Sequence, residues 1–98
     1  MKRIDANHRE IVAALRGIGA SVQSLADVGK GTPDLLVGYR GVNYLFEVKD
    51  GAKCKSATAL TDHERKWHET WRGNVKTVFS AISAINAIQL TENPNDRD

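Results

Sequence analysis

The stretch Gly31-Thr32-Pro33-Asp34-Leu35-Leu36-Val37-Gly38-Tyr39-Arg40-Gly41-Val42-Asn43-Tyr44-Leu45-Phe46-Glu47-Val48-Lys49 decides how this chain folds. It holds two strand-like runs, residues 34–40 and 43–50, separated by Gly41-Val42. Glycine at the first central position of a two-residue loop predicts a type II′ hairpin turn. Such a turn pairs Arg40 with Asn43, sets Asp34 opposite Lys49 and sets Leu36 opposite Glu47. Side chains two apart share a face of a sheet. Asp34, Glu47 and Lys49 are therefore expected on one face, at the end away from the turn. Directly opposed Cβ atoms lie about 4.5–5.5 Å apart and diagonal ones about 7–8 Å. Two carboxylates on that diagonal can share one divalent cation. A one-residue slip would send the set to opposite faces.

Two close carboxylates repel, and a bound cation relieves the repulsion. Hard oxygen donors suit Mg²⁺ or Mn²⁺, which retain waters and accept phosphate oxygens. The metal acidifies a water and draws charge from a scissile phosphate. A lysine facing the carboxylates can orient that water and offset the growing negative charge. This combination is what phosphodiester hydrolysis requires. A plainer alternative makes Asp34 and Lys49 a cross-strand ion pair, with Glu47 at a wet sheet edge, because short motifs also match by chance.

Outward from the hairpin, residues 5–16 read as a helix with Ile4, Ile11, Leu15 and Ile18 near one face, stopped by Gly17 and Gly19. Residues 21–28 alternate loosely (Val22, Leu25, Val28) and predict a strand, followed by a breaker loop over 29–33. After the hairpin, residues 51–59 are small, polar and basic and predict a loop. Thr61-Asp62-His63-Glu64 is a capping-box pattern opening a helix to about Arg72, with Gly73 as its stop. Residues 75–82 predict a fourth strand, and 83–90 a short last helix. The fold class is therefore α/β, in the order α-β-β-β-α-β with a C-terminal helix, the fourth strand joining parallel through the second helix.

Ninety-eight residues make one domain, taken as 1–91, with 92–98 as a fraying acidic tail. The composition, 41% hydrophobic and 27% charged, excludes disordered and collagen-like classes. No run approaches a membrane span. Lys2 and Arg3 have no apolar stretch behind them, so no signal peptide is expected. The single Cys54 permits no internal disulfide, which suits a cytoplasmic location, and it reads as a bystander. The net charge is +2, but without the tail the body carries thirteen basic against nine acidic side chains, a balance that suits a polyanion.

The run Gly31 to Gly38 followed by Phe46-Glu47-Val48-Lys49 resembles the signature of PD-(D/E)xK nucleases. More narrowly, it is similar to the stand-alone VRR-NUC domains of phages and bacteria. The resemblance covers most of the chain and implies a restriction-endonuclease-like core, a mixed sheet flanked by helices. It implies Asp34 and Glu47 as metal ligands, Lys49 as the catalytic lysine and the Val48 carbonyl as a further ligand. Glu10 on the first helix matches an acidic residue that approaches the metal in such nucleases; Asn7-His8-Arg9-Glu10 also fits a capping box. Residues 60–67 resemble the family's L-T-x-x-Q-x-x-W helix, with Glu64 where glutamine is usual. Trp67 and Trp71, four apart, are expected to pack that helix on the sheet. Lys30, Lys53, Lys55 and Ser56, with Thr58, are candidates for holding a phosphate backbone, contacts that position without reading sequence.

The expectation is thus a Mg²⁺- or Mn²⁺-dependent deoxyribonuclease acting on a structured substrate such as a flap or four-way (Holliday) junction. By family analogy it is a homodimer working in a bacterial or phage-infected cell. A non-cleaving nucleic-acid-binding module and an interaction domain remain as alternatives.

Overall fold

Seven elements follow one another in a computed structural model that describes residues 6–50 and 59–90. They are α1 (Ala6–Gly17), β1 (Ser21–Ser24), β2 (Leu35–Tyr39), β3 (Val42–Val48), α2 (Asp62–Thr70), β4 (Val75–Val78) and α3 (Ala81–Gln89). The four strands form one mixed sheet in the order β1-β2-β3-β4, with β1–β2 and β2–β3 antiparallel and β3–β4 parallel. No described helix is long and apolar enough to cross a membrane.

The hairpin register differs from the sequence expectation. Leu35 pairs with Phe46, Val37 with Tyr44 and Tyr39 with Val42, so the two-residue loop is Arg40-Gly41 and not Gly41-Val42. Both loop residues have positive φ, 51° at Arg40 and 79° at Gly41. That is the type I′ signature, whose twist matches the flanking strands. Valine's β-branch favours the extended ladder, so Val42 enters β3 and Arg40 takes the left-handed position instead. The slip moves each partner by two residues and preserves parity. Asp34, Glu47 and Lys49 keep their common face, but the ladder carried one step further sets Asp34 against Glu47, not Lys49.

Alternation along the hairpin separates two environments. Leu35 and Val37 on β2 and Tyr44 and Phe46 on β3 are buried on one face. There they meet Ile11 and Leu15 of α1, Val78 of β4, and Ala84 and Ile88 of α3. The spacing of four between Ile11 and Leu15, and between Ala84 and Ile88, places each pair on one helix stripe. α1 and α3 pack against each other over this face. Burying a side chain such as Phe46, Leu35 or Ile11 contributes roughly 1.5–3 kcal/mol. The opposite face carries Leu36 and Leu45 half-buried, Glu47 buried, and α2.

Two boundaries fall elsewhere than expected, each because a serine hydroxyl intervenes. β1 ends at Ser24, whose Oγ accepts the Ala26 N–H at 3.2 Å, and the chain turns through a Val28 N–H to Leu25 carbonyl bond at 3.0 Å. This local bond competes with strand pairing, so the ladder does not reach Val28, which is exposed. β4 ends at Val78 because Ser80 and Ser83 form a reciprocal cap for α3: Ser80 Oγ accepts the Ser83 N–H, and Ser83 Oγ accepts the N–H groups of Phe79 and Ser80. Ile82, expected at the end of the strand, sits exposed in the first turn of α3. Ile4 and the 92–98 tail lie outside the described residues, as does most of the 51–59 loop.

The hairpin turn is directly testable. Gly41→Ala, which places a Cβ at positive φ, should destabilise the protein by about 1 kcal/mol, whereas Arg40→Gly should be neutral or stabilising. Urea denaturation of both variants measures this; an Arg40→Gly variant destabilised by about 1 kcal/mol, as at a strand position, would restore the Gly41-Val42 turn.

Candidate functional site

The polar cluster on the α2 side of the sheet begins with Asp34, placed where the Gly29–Pro33 loop enters β2. Its Oδ2 accepts the Val48 N–H at 2.7 Å, and its backbone carbonyl accepts the Leu25 N–H at 2.8 Å. The side chain thus continues the hairpin ladder where backbone pairing has stopped. Val48, whose carbonyl is the further ligand implied by the resemblance, is tied to Asp34 through its N–H.

Glu47 is the deepest member, 2% exposed, and its Oε1 has no hydrogen-bond partner. Burial pushes its carboxyl up to about 10, reinforced by hydrogen bonding and charge from Asp34 and by the charge of Glu64; Lys49 opposes the rise. Across from it stands His68 of α2, with Nε2 at 4.0 Å from Glu47 Oε1 and equally without a partner. Burial lowers the His68 pKa, with Lys49 adding to the effect and Glu64 opposing it. The upward shift at Glu47 and the downward shift at His68 both disfavour charge, so the 4.0 Å approach is a juxtaposition and not a tight ion pair.

Lys49 does not pair with Asp34, contrary to the plain cross-strand alternative. Its Nζ donates to Glu64 Oε1 at 2.8 Å. The same Glu64 oxygen accepts the Thr61 N–H at 2.9 Å, while Thr61 Oγ1 accepts the Glu64 N–H at 3.2 Å, closing the expected capping box. Burial disfavours the Glu64 carboxylate, but the Lys49 hydrogen bond and the Thr61 N–H outweigh it and hold its pKa below the ordinary value. Glu64 therefore both caps α2 and grips the lysine.

Sequence reading missed two members. Asn7 donates from Nδ2 to the Lys49 carbonyl at 2.9 Å, tying α1 to the end of β3. The helix already includes Ala6, so Asn7 is inside it and does not cap it as the capping-box pattern proposed. Glu10, one turn on, is exposed. His68 lies one turn after Glu64, and that i, i+4 spacing was the available signal. Trp67 and Trp71 stack on each other with centroids 4.4 Å apart and planes at 17°. Trp71 is 48% exposed and lines a shallow cleft with Leu36 and Leu45 of the sheet. Lys30 is exposed in the loop before β2, while Lys53, Lys55, Ser56 and Thr58 lie outside the described residues.

α2 buries none of its residues fully, so polar contacts and close backbone approach hold it in place. Gly31, at φ 81°, lies so near the first turn of α2 that a Cβ there would collide with the His63 carbonyl. Among the described residues no three His, Cys, Asp or Glu side chains form a ready metal cage. The donor set is the Asp34–Glu47 pair. A buried carboxylate oxygen lacking any partner is a position that a cation would satisfy, and Mg²⁺ asks for only one or two carboxylates, so the residues present fit such an ion.

Comparison with known protein families, with curated proteins and with solved structures finds no match to this chain.

Two outcomes follow. The folded Glu47 carboxyl holds a proton that the unfolded chain releases above about 4.5, so its contribution is complete at low pH and is lost as pH rises towards about 10. In EDTA, wild type should lose stability relative to Glu47→Gln from pH 5 to pH 9, by on the order of 1 kcal/mol per unit. A pH-independent difference between their melting curves would show the carboxyl ionised in the fold. Gly31→Ala should cost about 2 kcal/mol or more through clash and positive φ. Near-UV circular dichroism of the tryptophans should report the displacement of α2; an unchanged spectrum with wild-type stability would contradict the close approach.

Proposed function

We propose that this chain is a metal-dependent deoxyribonuclease with a restriction-endonuclease-like core of the VRR-NUC type. The observation that carries the reading is the buried, unpartnered Glu47 carboxyl beside Asp34, with Lys49 on the same face. Nothing in core packing calls for an acid there, since burying it disfavours its charged form. A divalent cation would reverse that penalty and return Glu47 to the carboxylate. Mg²⁺ or Mn²⁺ would be held by Asp34 and Glu47, with the Val48 carbonyl as a further donor, and would supply an acidified water and charge neutralisation at the phosphate.

The chain's own residues then divide the work. Asp34 fixes the end of β3 through the Val48 N–H and would help to hold the ion. Lys49 supplies positive charge and a donor at the attacking water or the non-bridging phosphate oxygen. Glu64, anchored by Thr61, sets where the ammonium rests before substrate arrives. A phosphate entering the site competes with Glu64 for that ammonium. Asn7 steadies the Lys49 backbone from α1. The basic body suits a DNA partner, and the resemblance to stand-alone VRR-NUC domains favours a flap or junction cut by a homodimer.

The Lys49–Glu64 ion pair favours one rival, a binding module of the same fold in which the lysine is retired to structure. Cleavage of labelled single-stranded, duplex, flap and four-way-junction DNA separates the two readings. Wild type should cut in Mg²⁺ or Mn²⁺ and not in EDTA, and Lys49→Met, folded by circular dichroism, should lose at least 100-fold in rate. Mn²⁺ should raise the melting temperature of wild type more at pH 8 than at pH 6, because the ligand must lose its proton, and should not raise that of Asp34→Asn. Binding without metal-dependent turnover would install the rival.

A further inference from the structure

α2 presents a second surface beside the one that meets Glu47 and Lys49. Glu64 and His68 point to the sheet. His63, Lys66, Trp67 and Thr70, spaced i, i+3, i+4 and i+7, share the neighbouring stripe and, with Lys30 from the loop before β2, line a cleft of ≈ 480 Å³. That lies within the roughly 300–1,000 Å³ of small-molecule sites. We propose that this cleft seats one unpaired nucleotide of a DNA strand, its base against Trp67 and its phosphate between Lys30 and Lys66. The proposal rests on the nuclease reading above and names the substrate feature that reading leaves open.

Three observations converge on this occupant. The two lysines have no carboxylate partner among the described residues, whereas Arg65 on the same helix is taken up by Asp62 and Glu69. Two uncommitted cations lining one cleft with an aromatic ring match a phosphate joined to a base. The ring is held ready: Trp71 stacks on Trp67 but does not line the cleft, so a different part of the Trp67 surface faces it. Lys30 itself is kept at φ 55°, a conformation that favours glycine, between Gly29 and Gly31, which also have positive φ. Holding a lysine in this strained loop against α2 forms the wall of the cleft, and such strain concentrates at ligand clamps.

The occupant must be unpaired because a base inside a duplex has both faces covered by its neighbours, leaving none for Trp67. Since Glu64 and His63 are consecutive, the cleft adjoins the Lys49 end of the catalytic group. A strand running from one to the other would place its unpaired nucleotide next to the scissile phosphate, which selects flaps, gaps and junction centres over continuous duplex.

The test uses the full chain in EDTA, where no metal-dependent cutting can consume the probe. Fluorescence anisotropy with a labelled single-stranded oligonucleotide and a blunt duplex of the same sequence compares wild type, Trp67→Leu, Trp67→Phe and Lys30→Gln/Lys66→Gln, each checked for folding by thermal melting. Trp67→Leu should weaken single-strand binding about tenfold and duplex binding less than threefold, with Trp67→Phe recovering most of the loss. The double lysine variant should reduce the slope of log K against log salt by about 0.7, the loss of one single-strand phosphate contact. Unchanged single-strand binding in either variant, equal losses on both DNAs, or no single-strand binding by wild type overturns the proposal. Cutting by wild type with an unaltered Trp67→Leu removes the cleft and leaves the nuclease standing; cleft-dependent binding without cutting in Mn²⁺ does the reverse.

Discussion

The burial of Glu47 organises the α2 side of the sheet. The carboxyl sits on a central strand, 2% exposed, with its proton retained because low polarity and the neighbouring Asp34 make the charge costly. Each group around it has its own commitment. One Asp34 oxygen accepts the Val48 N–H, burial pushes His68 towards neutrality, and Lys49 donates to Glu64. The result is a cluster containing one tight ion pair and, facing each other at 4.0 Å, two unsatisfied atoms. Such an arrangement is unfavourable as packing and intelligible as a site, because a cation or a phosphate changes the balance of every group at once.

The two faces of the sheet are held by different forces. Against α1 and α3 the sheet presents Leu35, Val37, Tyr44 and Phe46, and the attraction is the non-directional burial of apolar surface. Against α2 it presents Glu47 and Lys49, and the attachment is directional: a lysine gripping a capping glutamate, and a glycine backbone pressed to the first helical turn. The apolar core and the polar cluster are thereby separated. Groups on the α2 face can rearrange around a ligand without opening the core, since no α2 residue is part of it.

Glu64 illustrates how a single residue couples these layers. One oxygen accepts both the Thr61 N–H and the Lys49 ammonium, so the cap of α2 and the position of the lysine are one structure. A glutamine there could keep the cap but would bring no charge to hold the lysine. The stripe on the other side of the same helix carries Trp67 and Lys66 to the cleft, so the placement of α2 sets both the chemical group and the surface beside it.

Much of this was legible in the chain. Alternation over residues 35–37 and 44–47, the capping box at Thr61 and the Ile11–Leu15 spacing specify the element order and the common face of Asp34, Glu47 and Lys49, because these patterns act locally through periods of two and 3.6 residues. The turn was misplaced because glycine at position 41 is compatible with two loops, and the choice between them depends on which ladder buries Phe46 against Leu35. The serine caps at Ser24 and Ser80 were missed for a related reason: hydroxyls signal equally well in strands, turns and helix starts. The groups that Lys49, Glu47 and Asn7 meet lie 15, 21 and 42 residues away in sequence, across separate elements. Local sequence determined which side chains share a face. Only the tertiary structure decided which charges are buried, which are paired and which face a cleft, because desolvation and pairing depend on the surfaces that packing brings together.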